Sequence, residues 1–244
     1  MNWTGKTYWL VGASEGLGRE VAKKIAAAGA KVVVSARSED RLKSLVEEIG
    51  ENASYVTVDV TDSAAVDAAA KQIGHIDGVV YLAGVYWPMK ASEWDNEKAD
   101  LMTEINYLGG SRVVGSVIVP MVDRDAGHIV LTGSLSGFRG LPGAIGYSAS
   151  KAGLMALAES MQADLRKTGV RVQVINPGFI KTRLTEKNDF EMPFIMEPED
   201  AAQVFFDHMD SGGFKRSFPT VFSWVFRLSQ FMPDWMYYRL FGAK

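Results

Sequence analysis

Directly after its first apolar run the chain reads Val11-Gly12-Ala13-Ser14-Glu15-Gly16-Leu17-Gly18 and then turns helical. Three glycines at a strand–helix junction permit a tight turn. They also let backbone N–H groups approach a pyrophosphate seated on the helix N-terminus. The glycine spacing alone also fits a plain strand-to-helix turn, so the motif draws its weight from what surrounds it. Short runs rich in Val, Ile, Leu and Tyr recur at Tyr8–Val11, Lys31–Ser35, Ser54–Val58, Gly78–Leu82, His128–Thr132 and Arg171–Ile175. Near-continuous apolar runs are what strands buried on both faces of a parallel sheet require. Helix-length segments separate them, at Arg19–Ala28, Asp40–Ile49, Ala64–Gln72, about 100–121 and about 148–167. This alternation predicts an α/β fold, a Rossmann-type doubly wound parallel sheet with helices on both faces. Ligands of such a sheet bind at the strands' C-terminal ends.

With 244 residues and 47% hydrophobic content, one large domain over 1–244 can bury a substantial core. Residues 186–244 read within it as a variable substrate lid followed by an aromatic tail. The net charge of -3, with acidic and basic residues interspersed, gives no nucleic-acid surface. No cysteine is present, which excludes disulfides, zinc–thiolate sites and Cys nucleophiles and suits a reducing compartment. The start lacks a charged-then-apolar signal pattern, and no apolar run nears the roughly 20 residues of a membrane span. The expected location is cytoplasmic. His75, His128 and His208 lack ligand-like spacing, so no metal site is expected.

Two Tyr-x-x-x-Lys patterns occur, Tyr86…Lys90 and Tyr147…Lys151. Four residues apart place two side chains on one face only in a helix. Pro88 breaks the first pair, whereas Tyr147-Ser148-Ala149-Ser150-Lys151 opens a strong helical pattern. A tyrosine ionises near pH 10, and bringing it to neutrality takes about 4 kcal/mol of preferential stabilisation of the phenolate. A lysine ammonium, with an oxidised nicotinamide, supplies charge of the right sign. The alternative is a surface helix pair.

These features together resemble the short-chain dehydrogenase/reductase family, in its compact single-domain branch, over about residues 4–185. In that family a serine stands 13 positions before the catalytic tyrosine, and Ser134 holds that position here. The family's helix asparagine matches Asn106, and its Pro-Gly turn matches Asn176-Pro177-Gly178-Phe179-Ile180-Lys181-Thr182. The resemblance implies that Tyr147 gives or takes the substrate proton while Lys151 lowers its pKa and bonds the nicotinamide ribose. Ser134 would hold the substrate oxygen, and Asn106 would position a water linking Lys151 to solvent. Gly12, Gly16 and Gly18 would line the pyrophosphate, with Ser14, Glu15 and Leu17 of the same loop also binding the cofactor. Asp59 and Val60 would meet the adenine, Ala83 and Gly84 would lie along the cofactor, and Pro177, Gly178, Ile180 and Thr182 would surround the nicotinamide. Blander readings exist: Ser136 lies two residues from Ser134 on what reads as the same strand face, Asn106 could bend or cap a helix, and Thr182 could cap the next segment. Two departures stand out. Val11 replaces a frequent threonine, and Tyr81-Leu82-Ala83-Gly84 replaces an Asn-Asn-Ala-Gly stretch, so the residues that brace the cofactor side differ.

The second strand ends Val34-Ser35-Ala36-Arg37-Ser38 without the carboxylate that binds a ribose 2′-hydroxyl. Arg37 offers a charged fork to a 2′-phosphate, with Ser35 or Ser38 as helpers, so NADP(H) is favoured over NAD(H). Glu15 argues the other way unless it turns outward. After Lys187 the motifs stop. Residues 189–195 read as the lid, the family's last strand is hard to see beyond Gly213, and in Val221–Met232 the residues Ser223, Arg227 and Gln230 form one polar helical stripe. Packing against the pocket or a partner subunit is the favoured reading of this tail, ahead of membrane-surface contact and of an exposed end. The partner expected is a small alcohol or carbonyl substrate, with an aromatic lid pointing to a lipophilic one. A homodimer or homotetramer through the two long helices is expected by resemblance. A catalytically silent NADP(H)-binding regulator is the main rival, and the joint presence of Asn106, Ser134, Tyr147 and Lys151 argues against it. Epimerases, dehydratases and enoyl reductases of related branches differ in length or in tyrosine–lysine spacing.

Overall fold

The computed structural model describes residues 1–188 and 191–242. Asp189 and Phe190, the first residues of the expected lid, lie outside the described residues, as do Ala243 and Lys244. Seven parallel strands form one sheet in the order β3-β2-β1-β4-β5-β6-β7. They are β1 (Thr7–Val11), β2 (Lys31–Ala36), β3 (Ala53–Thr57), β4 (Gly78–Tyr81), β5 (Gly127–Thr132), β6 (Val170–Pro177) and β7 (Lys215–Phe218). The expected doubly wound α/β sheet is present, with its order reversing between β1 and β4, where a crevice opens at the strand ends.

Strand alternation feeds two cores. Trp9, Val11, Val79, Tyr81, Ile129 and Leu131 face α3 (Ser63–Ile73), α5 (Gly109–Asp123) and α6 (Ile145–Leu165). Tyr8, Leu10, Val32, Val34, Val80 and Val130 face α1 (Gly16–Ala27), α2 (Glu39–Ile49) and α7 (Pro198–Asp210). His128 is buried between Tyr8 Oη at 2.9 Å and Gln173 Oε1 at 2.8 Å. Burial pushes this histidine down to about 3, so it is a neutral core residue at physiological pH.

Three sequence readings need correction. The last strand exists: β7 pairs in parallel with β6, from Val174↔Lys215 to Pro177↔Phe218. Its residues Lys215, Arg216 and Ser217 are polar, and Phe218 alone of the four is buried, so an edge strand left no apolar pattern. The helix expected over about 100–121 is two helices, α4 (Asn96–Thr103) and α5, joined by a π-helical segment at Glu104–Leu108. By length and composition this 96–123 rod could cross a membrane, yet Met102, Asn106, Val113, Val117 and Met121 are buried in the fold. Finally, Ser134 and Ser136 do not share a strand, because β5 ends at Thr132.

Candidate active site

A cleft of about 660 Å³ runs along the carboxyl ends of the strands. Gly12, Ser14, Glu15, Gly16, Leu17 and Gly18 line it from the first loop. Arg37, Ser38, Asp59 and Val60 line it beyond β2 and β3, and Ala83 and Gly84 beyond β4. Tyr147 and Lys151 from α6 close it, with Pro177, Gly178, Ile180 and Thr182 after β6. Ser35, Asn106 and Ser134 are not on its wall.

The glycines are dictated by contact. Gly12 sits at φ +91°, and a Cβ there would overlap the backbone N of Ala83. A Cβ on Gly18 would run into the carbonyl oxygen of Gly12. The loop can therefore lie flat against the β4 end only without side chains, which leaves the N-terminus of α1 bare toward the cleft. That cradle, and a buried Thr132 hydroxyl on the wall with no hydrogen-bond partner, fit a dinucleotide with polar groups to offer.

Tyr147 lies in the first turn of α6 and Lys151 one turn later. The rival pair is separated: Tyr86 meets Tyr147 edge-on at 5.1 Å, while Lys90 is exposed in an extended stretch. Ser134 caps the short turn Leu135–Gly137, its Oγ accepting from Ser136 N at 3.2 Å and sharing a hydrogen bond with Ser136 Oγ at 2.9 Å. It also meets the Tyr147 hydroxyl. Burial pushes Tyr147 up to about 12, opposed by the Ser134 hydrogen bond and aided by Tyr86. Lys151 does not offset this: its Nζ donates to Thr132 O at 2.9 Å and stands 5.8 Å from the centre of the Tyr147 ring. In the protein alone the expected lowering of the tyrosine is thus overridden by burial, and Tyr147 holds its proton at neutral pH.

Burial pushes Lys151 down from 10.5 to about 8. Between those pH values the unfolded chain holds a proton that the folded one has released, so stability from this residue rises with pH across that window. Lys151→Met is expected to flatten the dependence of Tm on pH between about 8 and 10.5. Thermal melts of both proteins across that range check it, and identical slopes would show that Lys151 is charged and compensated in the fold.

The side-chain amide of Asn106 meets protein groups on two segments. Within the π-helical segment its Nδ2 donates to Val85 O and Ser150 Oγ, both at 3.0 Å, and its Oδ1 accepts from Val85 N at 2.8 Å. The amide braces the loop beside Gly84, with both of its N–H donors engaged. Ser35 is also withdrawn: its buried hydroxyl accepts from Trp9 Nε1 at 2.9 Å. Tyr81, which marked a departure in the sequence, hydrogen-bonds the carbonyl of Ile105 and so ties β4 to the π segment.

Two arginines escaped the sequence reading. Arg41 and Arg183 both pair with Glu15, the latter at 2.5 Å, and both line the cleft. Glu15 therefore points into a cationic fork and presents no naked carboxylate to the cleft. Arg41 lies in the first turn of α2, whereas Arg37 precedes its N-cap Ser38, so no helical spacing linked the two in the sequence. Thr182 serves two ends at once. Its carbonyl accepts from Thr185 N and Glu186 N, while its Cγ2 lies 2.9 Å from where a Gly16 Cβ would be. Among the described residues, no cluster of three or more His, Asp or Glu is placed to hold a metal ion.

Residues 6–192 match the short chain dehydrogenase family. An uncharacterized oxidoreductase of Myxococcus xanthus is 37% identical over 236 residues, covering 94% of this chain and 93% of the relative. The chain belongs to the short-chain dehydrogenase family. The dehydrogenase is also 33% identical over 194 residues to the 3-oxoacyl-acyl-carrier-protein reductase FabG of Escherichia coli K12, covering 76% of this chain and 78% of that one. Its fold is shared by a Burkholderia phymatum short chain dehydrogenase/reductase solved with NAD, at 23% identity, TM-score 0.86 and 94% of each chain. A serine dehydrogenase solved with NADP+ shares it too, at 24% identity and TM-score 0.79, covering 86% of this chain and 93% of that one. The dehydrogenase is accordingly an NAD(P)-dependent oxidoreductase acting on CH–OH and C=O groups.

Proposed function

We propose that the dehydrogenase interconverts a lipophilic carbonyl compound and its alcohol with NADP(H), using Tyr147 as general acid and base. The observation that carries this reading is the division of the cleft: Tyr147 and Lys151 line it on the β5–β6 side, with Ser134 behind the wall against the Tyr147 hydroxyl, and Arg37, Ser38 and Arg41 line it on the β2 side. When bound, the nicotinamide cofactor supplies or takes the hydride. In reduction, Tyr147 gives its proton to the carbonyl oxygen, which Ser134 holds by a hydrogen bond. Lys151 offers its ammonium to the ribose and to the tyrosinate left behind. The glycine loop receives the pyrophosphate, with Ser14 and Leu17 at its rim. Asp59 and Val60 flank the adenine, while Ala83, Gly84, Pro177, Gly178, Ile180 and Thr182 enclose the rest.

For the 2′-phosphate we assign Arg37 and Arg41, with Ser38 between them and Glu15 holding Arg41 in place. A lipophilic substrate is supported by the aromatic cluster that starts next to Gly178 of the cleft wall, where Phe222 sits 6.0 Å from Phe179 and 5.5 Å from Phe194 by ring centres. We further propose that residues 1–244 act as one unit with 186–244 as lid and tail. Pairing into a dimer or tetramer runs through α5 and α6; exposed Val119 and Val122 on α5 favour that surface.

The test is steady-state kinetics with both cofactors. kcat/KM is expected to be at least about 100-fold higher with NADPH than with NADH, the worth of a paired charge-assisted contact. Arg37→Ala with Arg41→Ala is expected to remove that advantage and leave the NADH value within about threefold. Equal use of both cofactors by the unaltered protein, or an advantage that survives the double substitution, would overturn the assignment.

A further inference from the structure

The last two helices are built inside out. In α8 (Thr220–Ser229) the outward residues are Val221, Trp224, Val225 and Leu228, at i, i+3, i+4 and i+7. Val221 is 74% exposed, and Phe231 just beyond the helix is 85% exposed. The inward side includes Ser223 and Ser229, both buried, with hydroxyls bonded at 2.7 Å to the carbonyls of Thr220 and Phe226. The polar stripe read from the sequence is thus split, with its serine against the protein and Arg227 and Gln230 outside. In α9 (Asp234–Phe241), Trp235, Tyr238 and Leu240 are exposed. A water-facing helix would carry the opposite pattern.

This face is held rigidly. Arg139 donates to Ser229 O at 2.5 Å and Met232 O at 2.8 Å, pairs with Asp234 at 2.5 Å, and lies 3.9 Å from the centre of the Tyr237 ring. Tyr237 Oη donates to Gly140 O at 2.6 Å. The two helices are fastened to the loop beside the site, and their apolar side is left outward.

The charge around the face identifies what covers it. α8 and α9 carry two basic side chains, Arg227 and Arg239, and one acidic, Asp234, which Arg139 neutralises, whereas residues 1–213 carry 21 basic and 28 acidic. Arg227 stacks 4.5 Å from the Trp224 ring centre, a cation at the rim of the aromatic patch. Tryptophan and tyrosine beside arginine suit the headgroup layer of a bilayer, and anionic lipid attracts the excess positive charge. Through Phe222 the patch also runs on to Phe179, beside Gly178 on the cleft wall. From these observations we propose that α8, Phe231 and α9 seat the protein on an anionic membrane surface, with the mouth of the site facing the lipid.

Vesicle flotation with the full chain tests this. Vesicles of phosphatidylcholine with about 30% phosphatidylglycerol are expected to carry at least about 10-fold more protein than phosphatidylcholine alone. Tryptophan emission should shift to the blue on binding, and high salt should weaken the attachment. The triple variant Trp224→Ser, Leu228→Ser, Phe231→Ser, and separately Arg227→Glu, should lose most of the flotation while keeping the Tm of the parent, since these side chains are exposed. No flotation on either vesicle, or flotation that the triple variant retains, would overturn the proposal. So would lipid-free light scattering that shows an oligomer dissociated by the triple variant, which would assign the face to a second copy.

Discussion

Tyr147→Phe is expected to lower kcat for carbonyl reduction by about 10³-fold, roughly 4 kcal/mol of transition-state stabilisation, with NADPH affinity within about threefold of the parent. The ring stays, and with it the edge contact to Tyr86. What leaves is the hydroxyl at the head of α6 that Ser134 touches. Burial raises the pKa of that hydroxyl in the free protein, so it carries its proton at ordinary pH. Ser134 is already engaged with Ser136, and Lys151 with the Thr132 carbonyl, so neither replaces the lost donor at the same atom. Single-turnover reduction with pre-bound NADPH, beside a fluorescence titration of the cofactor, separates chemistry from binding. A rate within tenfold of the parent would place the proton donor elsewhere.

Gly12→Ala is expected to destabilise the fold by about 3 kcal/mol or more, a fall in Tm of roughly 6–12 °C for a chain of this size. Two costs add at this position. The backbone is at φ +91°, where an L side chain is strained, and the new methyl would press on the backbone of Ala83 and Leu82. Relief requires the glycine loop to lift from the end of β4, which displaces the N–H groups facing the cleft. NADPH affinity should therefore fall by at least about 100-fold, out of proportion to the loss of stability. Melting curves with and without cofactor check both parts: an alanine variant that the cofactor stabilises as strongly as the parent would show that the loop tolerates the methyl.

The sheet was readable because its five inner strands are near-continuous apolar runs, and the glycine loop because its position after β1 is physically demanding. Arrangement between distant segments left weaker signals. Glu15 read as a liability for a phosphate because its charge is local in sequence, while its arginine partners stand on α2 and after β6. Ser35 read as a ligand because it ends a strand beside the cleft; strand alternation turns it inward to Trp9. β7 depends on hydrogen bonds to β6 that no periodicity announces. In α8 the apolar residues were visible, but which side faces the protein was decided by the Arg139 anchors in another part of the chain.

The π-helical segment at Glu104–Leu108 holds one residue more per turn than its neighbours need. That surplus shifts the phase of everything after it, so one continuous rod presents unrelated faces in its two halves. Met102 before it packs with Met89 near Tyr147, while Val113, Val117 and Met121 after it fill the core beneath the sheet. Deleting a single residue there would restore a uniform α-helix and rotate the downstream half by about 100°. The site-facing half and the sheet-facing half would no longer be correct together. In genetic terms this rod tolerates exchange of letters far better than a change in their number.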